Sequence, residues 1–202
     1  MRLSVEYAAM TMGRSVGIGT TGFTLASLAA YSVWAFAGRP LYRSIGEAGL
    51  YAVCAIVFVL LGSILLRPLT RTGLARFSAM FTTAFLAYAV AWCAGWFGAK
   101  GRPGEWLGSI AGSIAFCVVL AVWFGSWRAF LISSLVLFVA HSIGYFAGSW
   151  SYSELRNEHS VIAKLAWGFF HGLGMGAGLG FAFYQVQKLI RSETPKTDSV
   201  PA

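Results

Sequence analysis

Residues 106–148 read WLGSIAGSIAFCVVLAVWFGSWRAFLISSLVLFVAHSIGYFAG. Arg128 is the only charge in this stretch, and it splits the stretch into two apolar runs, 106–127 and 129–148. A helix rises about 1.5 Å per residue, so a run of about 20 residues crosses a hydrocarbon core about 30 Å thick. Two such runs joined at one arginine predict a transmembrane helical hairpin.

Working outward, the same pattern recurs at 16–36, 48–66, 77–98 and 165–187, giving six predicted spans. Charges cluster in the joints: Arg39, Arg43 and Glu47; Arg67, Arg71 and Arg76; Lys100, Arg102 and Glu105; Glu154, Arg156, Glu158 and Lys164. Pro40, Pro68 and Pro103 are placed in joints too, where a missing N–H does no harm. The fold class is therefore all-α, a polytopic membrane bundle, with residues 1–190 forming a single domain. Residues 191–202 lack apolar periodicity and are expected to be a disordered tail.

Composition agrees with this reading. Hydrophobic residues make up 57% of the chain and charged residues 11%, and the 24 glycines suit close helix packing in lipid. The net charge of +8 is spread over joints, so it fits anionic headgroups and topology control better than nucleic acid, which is not an expected partner. The expected partners are the lipid bilayer and a membrane protein or second copy of the chain. Counting basic residues puts both termini in the cytoplasm, as in a bacterial inner-membrane protein. Cys54, Cys93 and Cys117 all fall in apolar runs and read as small hydrophobes. Ala35-Phe36-Ala37 resembles a signal-peptidase site, but the preceding run exceeds a signal core and is read as a retained span.

The odd-numbered spans end alike: Ala30 to Gly38, Ala91 to Ala99 and Ala140 to Gly148 each carry small residues, aromatics and a small-residue exit. Three repeated hairpins explain this, and so do the aromatics and small residues common at membrane helix ends.

Inside the spans only His141 and His171 can titrate, apart from tyrosines and thiols. An intramembrane ionisable group is costly enough to suggest a role. His141 lies seven residues before Gly148 and His171 seven after Lys164, which places both imidazoles about 10 Å from one interface. Three uses fit: axial ligation of a b-type haem, part of a metal site, or hydrogen bonding to a quinone, pigment or lipid. Bonds to neighbours such as Ser142 or Tyr145 are the purely structural alternative. Two histidines in apolar helices resemble membrane cytochrome subunits in a general way, through single residues and no longer motif.

Gly168, Gly172, Gly176 and Gly180 recur every four residues and predict a bare helix face for packing, with Gly174 and Gly178 interleaved. Glu47, Glu105, Glu158, His159 and Lys164 form an outer polar set. Glu47 and Glu105 are expected to precede their helices, where the helix dipole favours a carboxylate, whereas Lys164 opposes it and needs a salt bridge. Mid-span carboxylates and lysines are missing, which argues against ion-driven pumps and retinal proteins. Phosphate loops and hydrolase motifs are missing as well, so the chain reads as a subunit or scaffold. A facilitator for a small neutral solute is the alternative, since it needs no buried charge.

Overall fold

The computed structural model describes residues 10–193, and the expected disordered tail lies mostly outside them. The described residues form helices without a strand: α1 (Met12–Leu66), α2 (Leu74–Ala99), α3 (Gly101–Phe124), α4 (Phe130–Leu155) and α5 (Ser160–Glu193). Short 3-10 turns, Arg67–Leu69 and Trp127–Ala129, precede α2 and α4. Among the described residues, four segments are long and apolar enough to cross a membrane: Met12–Leu69, Leu74–Ala99, Gly101–Phe124 and Trp127–Leu155. α5, at 34 residues, is long enough, but its run of glycines dilutes its apolar character.

The 55-residue α1 is two arms. Gly46, at φ 72° and ψ −178°, breaks the helix in a backbone region essentially reserved for glycine. The arms, 12–45 and 47–66, fold back on one another. A Cβ on Gly22 would lie 3.1 Å from Leu66 Cδ2, and the Phe23 and Phe58 rings stack with centroids 5.6 Å apart. A straight helix would hold Gly22 and Leu66 about 66 Å apart at 1.5 Å per residue.

Helix boundaries differ from the sequence reading where local chemistry intervenes. Pro40 is inside α1, not in a joint, and Pro103 is in the first turn of α3, where its missing N–H is tolerated. Gly125, left-handed at φ 64°, caps α3, and Ser126 N–H bonds Ala121 O at 3.0 Å, so that helix ends before Trp127. The joint between α4 and α5 shrinks to residues 156–159. Consequently Lys164 stands in the second turn of α5 and Glu105 one turn into α3, rather than at their starts.

α5 runs between α1 and α4, and α2 runs along α3. Glycine decides how closely. On one face of α5, a Cβ at Gly172 would lie 2.6 Å from Thr24 Cα, at Gly176 2.5 Å from Gly19 O, and at Gly180 2.5 Å from Ser15 O. Gly174 and Gly178 face α4, where a Cβ on Gly178 would lie 2.7 Å from Leu137 Cδ1. Such backbone contact and interhelical hydrogen bonds join the helices of the bundle. Ser15 Oγ donates to Gly180 O and Ser27 Oγ to Gly168 O, each at 2.7 Å, clamping both ends of the seam.

The distribution of side chains inverts that of a soluble domain. Leu131, Val90 and Ile143 are 77%, 70% and 67% exposed, whereas His141 and Ser27 are 0% exposed. Large apolar side chains outside and polar ones inside are consistent with an integral membrane protein.

Candidate functional site

His141 of α4 and His171 of α5 meet. Their ring centroids are 5.5 Å apart with an interplanar angle of 81°, edge to face. Glycine makes this possible: Gly144 and Gly174 let α4 and α5 approach so closely that a Cβ on Gly144 would lie 2.9 Å from Gly174 Cα. Both imidazoles then point into the seam and are buried.

Polar partners come from two further helices. Tyr88 of α2 places its hydroxyl 2.7 Å from His141 Nε2. Ser27 of α1 lies 3.5 Å from His171 Nδ1. The Ser27 hydroxyl has one proton, and it is donated to Gly168 O, so in this long contact the imidazole is the donor. His141 Nδ1 is buried without a hydrogen-bond partner. Ser142 and Tyr145, the neighbours expected to satisfy the histidines, are not their hydrogen-bond partners, although the Tyr145 ring lies 5.9 Å from that of His141.

The same geometry leaves no slot for a haem held between the two histidines. A macrocycle needs the two rings on opposite sides of a flat opening, yet they touch. Phe23 and Phe58 pack against His171, each at 6.0 Å. Among the described residues, no group of three His, Cys, Asp or Glu is placed to hold a metal ion.

The space lies one layer outward. Tyr31 and Phe58, whose rings are 6.1 and 6.0 Å from that of His171, also line a cavity of about 400 Å³. Its other walls are Ala30, Trp34, Leu50, Tyr51, Cys54, Tyr152 and Trp167. Both arms of α1, joined at Gly46, contribute to this wall. Trp34 stacks on Tyr152 at 5.6 Å and Trp167 packs on Tyr152 at 5.2 Å, fixing the far wall. The indole Nε1 of Trp167 is buried and has no acceptor. A cavity of this size, mostly apolar with few polar atoms, is the usual form of a small-molecule site.

The outer polar set divides. Lys164 Nζ lies over the Trp34 ring, 5.0 Å from its centroid, and among the described residues this cation–π contact takes the place of the expected salt bridge. Glu47 accepts a 3.2 Å hydrogen bond from Tyr51. Trp34 and Tyr51 both line the cavity, so Lys164 and Glu47 are attached to its wall. Glu158 and His159 stay in the α4–α5 joint, and Glu105 on α3.

Two features escape the sequence reading. Tyr88 ends a stripe, Phe77, Phe81, Phe85 and Tyr88, whose spacing of four, four and three would have marked one face of α2. Phe77, Phe81 and Phe85 stack at 6.0 and 5.9 Å and continue to Phe58 at 5.4 Å, filling the bundle interior. The cavity walls come from both arms of α1, α4 and α5, a convergence that spacing within one span cannot reveal. Comparison with known proteins finds no matching family, no matching curated sequence and no matching solved structure.

Proposed function

We propose that the chain crosses the membrane six times, as three hairpins in a single domain, and binds a lipid-soluble ring molecule bearing carbonyl oxygens, of the quinone class. The arms of α1 supply the first two crossings and α5 the last. Both termini face the cytoplasm of a bacterial inner membrane in this reading.

The observation that carries the binding proposal is the cavity of about 400 Å³ itself, walled mostly by aromatic rings. Tyr31 and Tyr152 on the same wall carry hydroxyls, the type of donor that a carbonyl oxygen accepts from. Ring faces from Tyr31, Trp34 and Phe58 favour a flat partner, through offset or edge contacts. The His141–His171 pair sits behind Tyr31 and Phe58 and holds that wall in place through Tyr88 and Ser27. A facilitator would need an open path where Phe23, Phe58, Phe81 and Phe85 stack, so binding is the better reading.

Thermal unfolding of the detergent-purified chain with a short-chain quinone tests it. A ligand at one hundred times its Kd stabilises by about 2.7 kcal/mol, a shift that grows with concentration. No shift, or an equal shift in a Cys54→Trp variant whose cavity is filled, would count against the proposal.

A further inference from the structure

The two walls of the aromatic cavity are fastened very differently. Trp34, Tyr152 and Trp167 brace one another at ring distances of 5.2 to 6.1 Å, and Tyr31 packs on Trp167 at 6.3 Å. That wall ties α1, α4 and α5 together. The facing wall is the second arm of α1, which supplies Leu50, Tyr51, Cys54 and Phe58.

This arm is bolted to the bundle over residues 58–66. Phe58 stacks on Phe23 at 5.6 Å and on Phe85 at 5.4 Å. A Cβ on Gly62 would lie 2.5 Å from Phe81 Cε1, and Leu66 meets Gly22. Over residues 47–57 the bolts stop. Leu50 is the one buried residue of that stretch. It makes no hydrogen bond or ring contact to another element among the described residues; Tyr51 bonds Glu47, one turn back in the same arm. Gly46 stands at its outer end, non-helical at φ 72°, with no atom within 4 Å of an added Cβ. Further along the arm, Ile56, Leu60 and Ile64 share one face and are 56%, 59% and 57% exposed, so that face meets lipid.

We infer that residues 47–57 form a lid on the cavity, hinged at Gly46 and pivoting at Phe58, which opens sideways and admits the ligand from the bilayer. The ligand's identity rests on the quinone reading above, whereas the lid rests on the packing of the arm. Local opening costs least where few apolar contacts are buried, and a hinge is a residue that absorbs a backbone change. Both conditions meet in this stretch. A lateral opening also suits a lipid-soluble molecule, which is concentrated beside the lid and scarce in water.

Hydrogen exchange of the full chain in lipid nanodiscs, read by mass spectrometry with and without saturating short-chain quinone, tests the lid. The comparison begins at Tyr51, because the first amides after the break at Gly46 lack helical acceptors. Residues 146–152 of α4 control for depth, since Tyr152 stacks on Trp34 beside the same cavity. In the free chain, amides 51–57 are expected to exchange about tenfold faster than those of 58–66 or 146–152. Quinone should slow them about tenfold, over labelling times at which 58–66 shows no exchange. A long-tailed prenyl quinone, confined to the lipid of the disc, should slow them equally. Exchange of 51–57 no faster than in the two other stretches would overturn the inference. So would exchange unaffected by quinone in a chain whose unfolding midpoint the quinone raises, or protection by the short-chain compound alone. Absence of any quinone-induced thermal shift would count against the quinone reading, and the free-chain difference would then decide the lid.

Discussion

α1 and α5 meet at both ends of one seam, and the two ends are built on opposite rules. Along Gly172, Gly176 and Gly180 the helices are in backbone contact, with no room for a methyl group. Around Trp167, Tyr31 and Trp34 rings fill the contact, with Gly168 packed directly on Tyr31, and a cavity of about 400 Å³ remains beside them. The glycine end fixes where the helices are; the aromatic end uses that fixed position to keep a space open. Stability and binding are therefore separable along one interface, and substitutions can break one while sparing the other.

The largest effect is expected at the tight end. Gly176→Leu would drive a Cβ to 2.5 Å from Gly19 O and 2.8 Å from Thr20 Cα, backbone atoms that cannot rotate away. We expect a loss of about 3 kcal/mol, seen as a lowered unfolding midpoint in a denaturing detergent titration. A midpoint within error of the wild type would refute close packing there. Gly46→Ala comes next, at about 1–3 kcal/mol, because alanine is strained at φ 72° and ψ −178°. Gly98→Ala, with nothing within 4 Å of its added methyl, should be neutral or stabilising by up to about 1 kcal/mol. If the two alanine variants behave alike, the break in α1 does not depend on Gly46.

A smaller loss is expected at the histidine pair. Tyr88→Phe removes the bond to His141 Nε2 and should cost about 0.6–1.7 kcal/mol, the range for interhelical hydrogen bonds in membranes. A cost above about 3 kcal/mol would mean that the histidine pair, not the glycine seam, organises the bundle. The least loss is expected for Cys54→Trp, which fills space instead of removing contact. Its midpoint should move by less than about 1 kcal/mol while the response to quinone disappears, as volume-tolerant sites behave. Loss of stability without loss of binding would reverse the comparison.

Much of the helical architecture was legible in charge spacing, because charges in hydrocarbon are expensive and collect in joints. The glycine repeat of the last helix was legible for a similar reason: spacing of four maps directly onto one face. Joint details were less so. Among the described residues Gly46, Gly101 and Gly125 differ from the other glycines in backbone angle, which composition does not carry. Lys164 read as a cation at a helix start because the apolar run begins after it, yet α5 begins at Ser160. The histidines were readable as a pair through equal depth, but their partners Tyr88 and Ser27 lie on other helices. The cavity was not legible at all, since its walls converge only after both arms of α1 fold back.

The cysteines allow the most direct measurement. Cys54 lines the cavity and Cys93 is exposed elsewhere on the chain. With the native protein in detergent, alkylation of each by N-ethylmaleimide can be followed by peptide mass spectrometry as a short-chain quinone is titrated. The account predicts that modification of Cys54 slows saturably, about tenfold at full occupancy, while that of Cys93 does not change; a Cys54 rate independent of quinone, or equal slowing of both thiols, would contradict it.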